Sequence, residues 1–213
     1  PTPIDTRVMA TRLPSFLVGL ARRWPFLSFF LLVIVSNAAG SFFNITYNRH
    51  LIVELYLDPP QEHAFWFRVI PVYNTIAYTL AFALIIGLFR PIARCLKAIR
   101  ADLPISPDRL AHARRRLINL PVLQVCLNFA LWIPGAILFP LGICLAAGWN
   151  NASVIWTQFA VSFTISALLT SVQTYFLIDE FLIAALYGEL FREARPAMVH
   201  GAWRVTFGRR VFL

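Results

Sequence analysis

Residues 25–47 have the sequence PFLSFFLLVIVSNAAGSFFNITY, which contains no charged side chain. A helix crosses the hydrocarbon core of a bilayer, about 30 Å thick, with roughly 20 apolar residues at 1.5 Å rise per residue. Three further stretches of similar length and polarity follow at about 69–89, 121–147 and 154–178. The first stretch is too long for a signal peptide. The sequence therefore predicts an all-α membrane protein whose four transmembrane helices form two hairpins.

The overall composition agrees with this class. Hydrophobic residues make up 59% of the 213 residues and charged residues only 14%, whereas soluble domains average about a quarter charged. A soluble core does not accommodate so much apolar surface, so the composition excludes an ordinary soluble domain.

The basic residues are distributed unevenly between the connections. Of the 19 basic residues, 17 lie before the first span, between the second and third, or after the fourth, and only Arg49 and Arg68 lie elsewhere. The positive-inside rule therefore places both ends of the chain and the central connection in the cytoplasm. The net charge of +9 follows from this topology, and since no nucleic-acid motif accompanies it, we expect no nucleic-acid partner.

The central basic segment has a helical pattern of its own. A short interfacial helix is expected from residue 90, followed by a break at 103–108, where Ser106 suits the N-cap and Pro107 the first helical position of the next helix. At the far end, residues 208–213 (GRRVFL) resemble the beginning of a further span that is absent from this sequence. The predicted segments are a cytoplasmic N-terminal segment (1–24), a first transmembrane hairpin (25–89), a basic helical arm (90–120), a second transmembrane hairpin (121–178) and a cytoplasmic helical extension (179–213).

Polar residues inside the spans are the first candidates for a functional site. Asn37, Ser41 and Asn44 are spaced by four and three residues, so they share one helix face. Two interpretations stay open: hydrogen bonding between helices, worth roughly 0.6 to 2 kcal/mol per contact, and a polar pocket for a ligand. The candidate residues for either role are Asn37, Asn44, Asn74, Asn128 and Gln173.

Charged residues at the predicted cytoplasmic surface form a second set of candidates. Arg114, Arg115 and Arg116 lie just before the third span, and Asp179 and Glu180 lie where the fourth span leaves the bilayer. An exposed helical junction that pairs with nearby arginines is the simpler interpretation of the two carboxylates. A pair buried in hydrocarbon would be costly and would indicate function. We consider all five for coupling or contact with the membrane surface.

Catalytic and cofactor motifs are not found in the sequence. The four histidines lie outside the predicted spans, so none is placed to bind a haem iron. The three cysteines lack metal-ligand spacing, and there is no phosphate-binding glycine loop or nucleophile elbow. We therefore predict no catalytic, metal-binding or cofactor-binding residue within this chain.

Four stretches of the sequence resemble a known family. They are IPVYNTIAY at 70–78, ARRRLINLP at 113–121, QTYFLIDEFL at 173–182 and LFREARP at 190–196. They resemble the N-terminal membrane region of bacterial class III adenylate/guanylate cyclases, in which six membrane helices lead through a HAMP-type linker to a cyclase domain. The similarity extends from about residue 23 to residue 213. The fifth and sixth helices, the linker and the catalytic domain have no counterpart here, so no catalytic residue is transferred to this chain.

The resemblance implies a membrane anchor and a sensory or regulatory region. The parent protein would be a homodimeric enzyme of the bacterial inner membrane that makes cyclic AMP or cyclic GMP with two divalent metals in its catalytic domain. The partner of this membrane region would be membrane lipid, or a lipid or apolar ligand between the helices. Whether the chain is itself an enzyme stays open. The alternatives are a non-catalytic subunit of a larger membrane complex and a small transporter or channel subunit.

Overall fold

The computed structural model describes residues 15–191, which are 91% helical and include no strand. Four helices are long and apolar enough to cross a membrane, so the predicted all-α membrane class with four spans is confirmed. The expectations for residues 1–14 and 192–213, including a further span beginning at 208–213, lie outside the described residues. The four candidate spans are Pro25–Tyr56, Pro59–Arg100, Pro107–Ala147 and Ala152–Glu180.

Nine α-helices make up the described chain. They are α1 (Ser15–Arg23), α2 (Pro25–Asn48), α3 (Glu54–Tyr56), α4 (Pro59–Ala64), α5 (Ile70–Arg100), α6 (Pro107–Trp132), α7 (Gly135–Ala147), α8 (Ala152–Leu177) and α9 (Ala184–Leu190). Single π-helical turns are uncommon in proteins, and those that occur are often found at functional sites. Three of them adjoin these helices, at Arg49–Val53, Phe65–Val69 and Ile178–Ile183.

Prolines shape two of the spans differently. Pro91 lies inside α5, which continues without interruption to Arg100, whereas the sequence predicts a separate interfacial helix from residue 90. Helices in membranes tolerate proline because neighbouring groups satisfy the freed carbonyl. Pro134 instead separates α6 from α7, since it lacks the N–H that a helix interior requires. Helix α6 begins at Pro107, the first helical position that the pair Ser106 and Pro107 predicts.

The connection between α2 and α5, expected as a loop, is largely helical. Asp58 caps α4: its Oδ1 accepts a hydrogen bond from the Gln61 backbone N–H at 3.0 Å, and Gln61 Oε1 accepts one from the Asp58 N–H. The buried Gln61 side chain also donates to the carbonyls of Gly148 and Asn150 at 3.1 and 3.0 Å. The Gln61 side-chain amide thus joins the connection between α2 and α5 to the connection between α7 and α8.

The chain divides into two compact units. The apolar unit consists of residues 31–86 and 124–175, and the basic unit consists of the described parts of 1–30, 87–123 and 176–213. Helices α2, α5, α6 and α8 contribute residues to both units. Buried aromatic and aliphatic side chains form the core of the apolar unit: Ile52, Val53, Phe65, Phe139, Ile143, Ile155, Phe159 and Phe163.

The basic unit has a core of its own. Phe29 and Phe89 are fully buried there, with ring centroids 5.1 Å apart in a stacked arrangement, and Phe26 packs on Phe89 at 5.9 Å. Aliphatic side chains at helical spacing complete this core: Ile92, Leu96, Leu117, Leu120, Leu182 and Leu186.

Candidate functional site

A row of polar contacts joins α2 to α8 within the apolar unit. Asn44 Nδ2 donates to Ser162 Oγ at 2.8 Å, and the Tyr47 hydroxyl donates to Gln158 Oε1 at 2.6 Å. Gly40 lies on the same face, where a side chain would overlap the hydroxyl of Thr170 on α8. Small residues let two helix backbones approach closely in a membrane, and amides and hydroxyls then bond across the contact. These contacts hold the helix pair together.

Asn48 extends this row but leaves one atom without a partner. Its Nδ2 donates to Asn44 Oδ1 at 3.0 Å, and Asn44 in turn donates to Ser162. The side chain is only 2% exposed, and its Oδ1 has no hydrogen-bond partner in the described structure. A buried acceptor left unpaired costs about 1–3 kcal/mol, so this oxygen requires an explanation.

Asn48 lines a cavity of about 140 Å³ within the apolar unit. The lining combines four small polar residues with six aromatic and two aliphatic ones, and none of them is charged. α2, α5, α6, α7, α8 and the π-helical turn at Phe65–Val69 supply these residues: Ser41, Asn44, Ile45, Asn48, Phe65, Trp66, Ile70, Asn74, Tyr78, Trp132, Phe139 and Phe163. A concave, mostly apolar space with a few polar groups is the usual form of a small-molecule site.

Three rings of the lining, Phe65, Phe139 and Phe163, form a packed aromatic wall. Phe139 lies at its centre, with its ring centroid 4.9 Å from Phe163 and 6.0 Å from Phe65. Phe163 approaches the backbone of Gly135 so closely that any side chain there would clash with the ring. The Tyr73 hydroxyl donates to the Leu131 carbonyl, which ties α5 to α6 beside this wall. Packed rings therefore form one wall of the cavity.

Two of the five predicted span residues line the cavity. Asn44 and Asn74 do so, whereas Asn37 accepts a hydrogen bond from Trp132 Nε1 at 3.2 Å and lies outside the lining. Asn128 also lies outside it, donating to Thr174 Oγ1 at 3.0 Å, and Gln173 is half-buried on α8. Asn37, Asn44 and Asn128 thus join helices, Asn44 and Asn74 line the cavity, and a ligand role for the cavity stays a prediction.

Asn48 lines the cavity and has an unpartnered side-chain oxygen, but the sequence prediction omitted it. Asn48 follows Asn44 by four residues and continues the face that begins at Asn37. Extending the spacing by one more turn would have included it. The aromatic wall has no such signal, since aromatic residues are frequent in every span of this sequence.

Arginines from three separate segments converge on α9 in the basic unit, forming what we call the arginine junction (Arg22, Arg100, Arg114). Arg100 binds both carboxylate oxygens of Glu189, at 2.8 and 3.0 Å, and also donates to the Arg22 carbonyl. Arg22 Nε donates to the Ala185 carbonyl at 3.2 Å. Such two-point binding of a carboxylate is specific to the planar guanidinium group.

Arg114 completes the junction at the end of α9. Its Nε donates to the Leu190 carbonyl at 2.6 Å, and its guanidinium carbon lies 5.6 Å from the ring centroid of Phe191. Cations at helix C-termini pair with free carbonyls and with the negative end of the helix dipole. Tyr187 stacks on Phe191 with centroids 4.8 Å apart, and burial raises the pKa of its hydroxyl, so the ring stays neutral at physiological pH.

The other charged candidates have different positions. Arg115 is exposed and Arg116 is half-buried on α6, and the described contacts of the arginine junction involve only Arg114 of the three. Asp179 and Glu180 are exposed within the π-helical turn at Ile178–Ile183. Their exposure fits the simpler interpretation of a helical junction.

Metal-binding clusters are not found among residues 15–191, where no group of three or more His, Cys, Asp or Glu side chains is arranged to hold a metal ion. Comparison of the chain with protein-family models, with curated proteins and with solved structures finds no match. The cavity and the arginine junction are therefore interpreted from their own chemistry.

Proposed function

We propose that this chain is the membrane anchor and the sensory or regulatory region of a nucleotide cyclase, with the cyclase domain in another part of the parent protein. The observation that carries the sensory role is the uncharged cavity in the apolar unit, lined by aromatic rings and by small polar residues. The similarity of four sequence stretches to the membrane region of class III cyclases supports the enzymatic output. In this proposal the chain lies in a bacterial inner membrane with both ends cytoplasmic, as a homodimer.

A receptor must bind its ligand differently in two arrangements of its helices, because a ligand that binds both equally shifts neither. The origin of the cavity lining supports a role of this kind. Its lining comes from α2, α5, α6, α7 and α8, so a change in the packing of these helices changes its volume and the positions of its amides. A ligand that fits one packing stabilises that packing.

The arginine junction supports a role in transmission. Arg100 ends α5, the same continuous helix that carries Asn74 near its beginning, and Arg114 lies on α6, which also carries Trp132. Helices that line the cavity thus also supply two of the three arginines that hold α9. Helices that contribute residues to two sites are candidates for carrying such a signal.

The test of this proposal is an exchange of the membrane region. The gene encoding this chain is expressed in a bacterial strain that lacks its own cyclases, and cyclic AMP and cyclic GMP are measured with the native region and with an unrelated dimerising membrane anchor. Output that changes with the exchange at equal expression is the expected result. Unchanged output would remove the sensory role, and absence of both cyclic AMP and cyclic GMP from both versions would remove the cyclase assignment.

A further inference from the structure

Three basic side chains form an exposed row on α5 within the basic unit. Arg90, Arg94 and Lys97 are spaced by four and three residues, so they share one helix face, and all three are exposed. We propose that this set, the α5 basic row, binds the anionic headgroup of a phospholipid in the surrounding bilayer. The inference goes beyond the proposed function and does not depend on it.

The other side of this segment of α5 lies in the core of the basic unit. Phe89 and Ile92 are fully buried there, and Leu96 is only 1% exposed. At 3.6 residues per turn, these apolar side chains point away from the face that carries the row. A packed helix therefore presents the α5 basic row to the surroundings of the protein.

Within residues 15–191, no carboxylate neutralises the α5 basic row. The ion pairs in this part of the chain have Arg49, His50 and Arg100 as their basic members, and no hydrogen bond joins the row to another described residue. Arg100 lies about one turn beyond Lys97 on the same helix and binds Glu189. Like charges one turn apart destabilise a helix, and a bound anion would offset the repulsion within the row.

The row follows directly on a stretch long enough to cross a bilayer. Residues 69–89 contain no charged side chain, and at 1.5 Å rise they extend about 30 Å, the thickness of the hydrocarbon core. Arg90 comes next, and Lys97 lies about 10 Å further along the axis, at a depth that long basic side chains bridge to the headgroups. Leu80 and Ile86 are exposed before this point, where the acyl chains of the same lipid would lie. Anionic lipids attract basic residues in this position, so a phospholipid fits the row better than a soluble anion does.

Native mass spectrometry of lipid binding tests the inference. The full chain in detergent micelles is titrated with phosphatidylglycerol and with phosphatidylcholine of the same acyl chains, which differ in the net charge of the headgroup. The affinity of the first bound lipid is measured for each. We expect phosphatidylglycerol to bind about tenfold more tightly or better, since one basic residue near an anionic lipid contributes about fivefold.

Arg94→Gln and Arg109→Gln form a matched pair of variants. Both remove one exposed arginine of the basic unit that has no ion-pair partner among the described residues, but Arg109 lies about 18 Å along the axis of α6 before the predicted third span. Each single substitution leaves the other basic residues of the central connection in place, so the orientation that the positive-inside rule sets is retained. Arg94→Gln should weaken phosphatidylglycerol about fivefold and leave phosphatidylcholine unchanged, whereas Arg109→Gln should bind both lipids like the native chain.

Two further variants separate charge from folding. Arg94→Lys keeps the positive charge and should retain the preference for phosphatidylglycerol. If Arg94→Gln does not fold, Lys97→Gln takes its place with the same expected loss. The inference is overturned by equal affinity of the native chain for both lipids, by equal losses in the matched pair, or by a loss in Arg94→Lys as large as that in Arg94→Gln.

Two competitors distinguish a lipid from other anions. Glycerophosphoglycerol is the headgroup without acyl chains, and at equal concentration it should not displace phosphatidylglycerol. Displacement would identify a soluble phosphate ligand and overturn the inference. An RNA oligonucleotide at the same concentration should likewise leave phosphatidylglycerol bound, and preferential binding of the RNA would assign the α5 basic row to nucleic acid instead.

Discussion

Gly40 offers the sharpest test of the packing between α2 and α8. A Cβ atom at this position would overlap Thr170 Oγ1 and would lie 3.1 Å from the Ser166 carbonyl oxygen. The hydroxyl moves by rotation of one side chain, whereas the carbonyl belongs to the backbone of α8 and moves only with the helix. Overpacking of this kind costs about 1–3 kcal/mol, and we expect Gly40→Ala to destabilise the chain by an amount in this range.

The contribution of Thr170 can be separated from that of the backbone. In a Thr170→Ala background the overlapping hydroxyl is gone, whereas the contact with the Ser166 carbonyl and an ordinary contact with the Cβ of residue 170 remain. The cost of Gly40→Ala should then fall by about 1 kcal/mol, a coupling typical of residues in direct contact. The assay is reversible unfolding in mixed micelles of increasing SDS content, read as the free energy of unfolding of the four proteins of the cycle.

Gly87→Ala is the matched control. Gly87 also lies in a helix, α5, but nothing lies within 4 Å of a Cβ built there. Alanine is the better helix former by about 1 kcal/mol, so this substitution should leave the chain equally stable or stabilise it. Equal free energies of unfolding for Gly40→Ala and Gly87→Ala would refute the close approach of α2 and α8.

Three other substitutions test polar contacts. Asn44→Leu removes the amide that donates to Ser162 at 2.8 Å and accepts from Asn48 at 3.0 Å, and it should cost about 1–2 kcal/mol of unfolding free energy in the same SDS titration; an unchanged midpoint would contradict this. Arg100→Lys removes the two-point contact with Glu189, which is partly exposed, so we expect a loss below about 1 kcal/mol but faster hydrogen exchange in α9, and unchanged exchange would argue against the contact. Asp58→Ala removes the cap of α4 and should cost about 1 kcal/mol, whereas Asp58→Asn should retain most of the cap; equal losses in the two variants would reject the capping role.

The positions of the spans follow from the sequence because hydropathy and charge act locally. The stretch at 25–47 lacks charged residues, and a bilayer leaves such a stretch few alternatives to a helix. Asn44 and Asn74 were among the predicted polar candidates for a similar reason, since polar residues inside spans are few and helical spacing groups them on faces.

The helical connection between α2 and α5 was not predicted because its order depends on distant groups. Gln61 binds carbonyls 87 and 89 residues away, at Gly148 and Asn150, and no local pattern reveals such partners. The unpartnered oxygen of Asn48 is equally invisible in sequence, because recognising it requires an account of which neighbours its amide does and does not reach. Continuation of α5 through Pro91 depends likewise on the surrounding packing.

The partners of the residues in the arginine junction also lie far away in the sequence. Arg114 was predicted as part of a basic run at the membrane surface, but its bond to the Leu190 carbonyl spans 76 residues. Arg100 and Glu189 are separated by 89 residues. Charge patterns in sequence predict which side of the membrane a residue occupies, and they do not select its partner among several carboxylates and carbonyls.

The measurement that tests the central claim most directly is the cyclic nucleotide output of the native gene carrying single substitutions at and away from the cavity. Asn48→Leu alters the lining, and Gln173→Leu does not. At equal expression in the cyclase-deficient strain, we predict that Asn48→Leu changes the output about fivefold or more, the usual lower limit of coupling between two sites, and that Gln173→Leu leaves it unchanged. The same output from the native protein and from both variants would contradict a sensory role for the cavity.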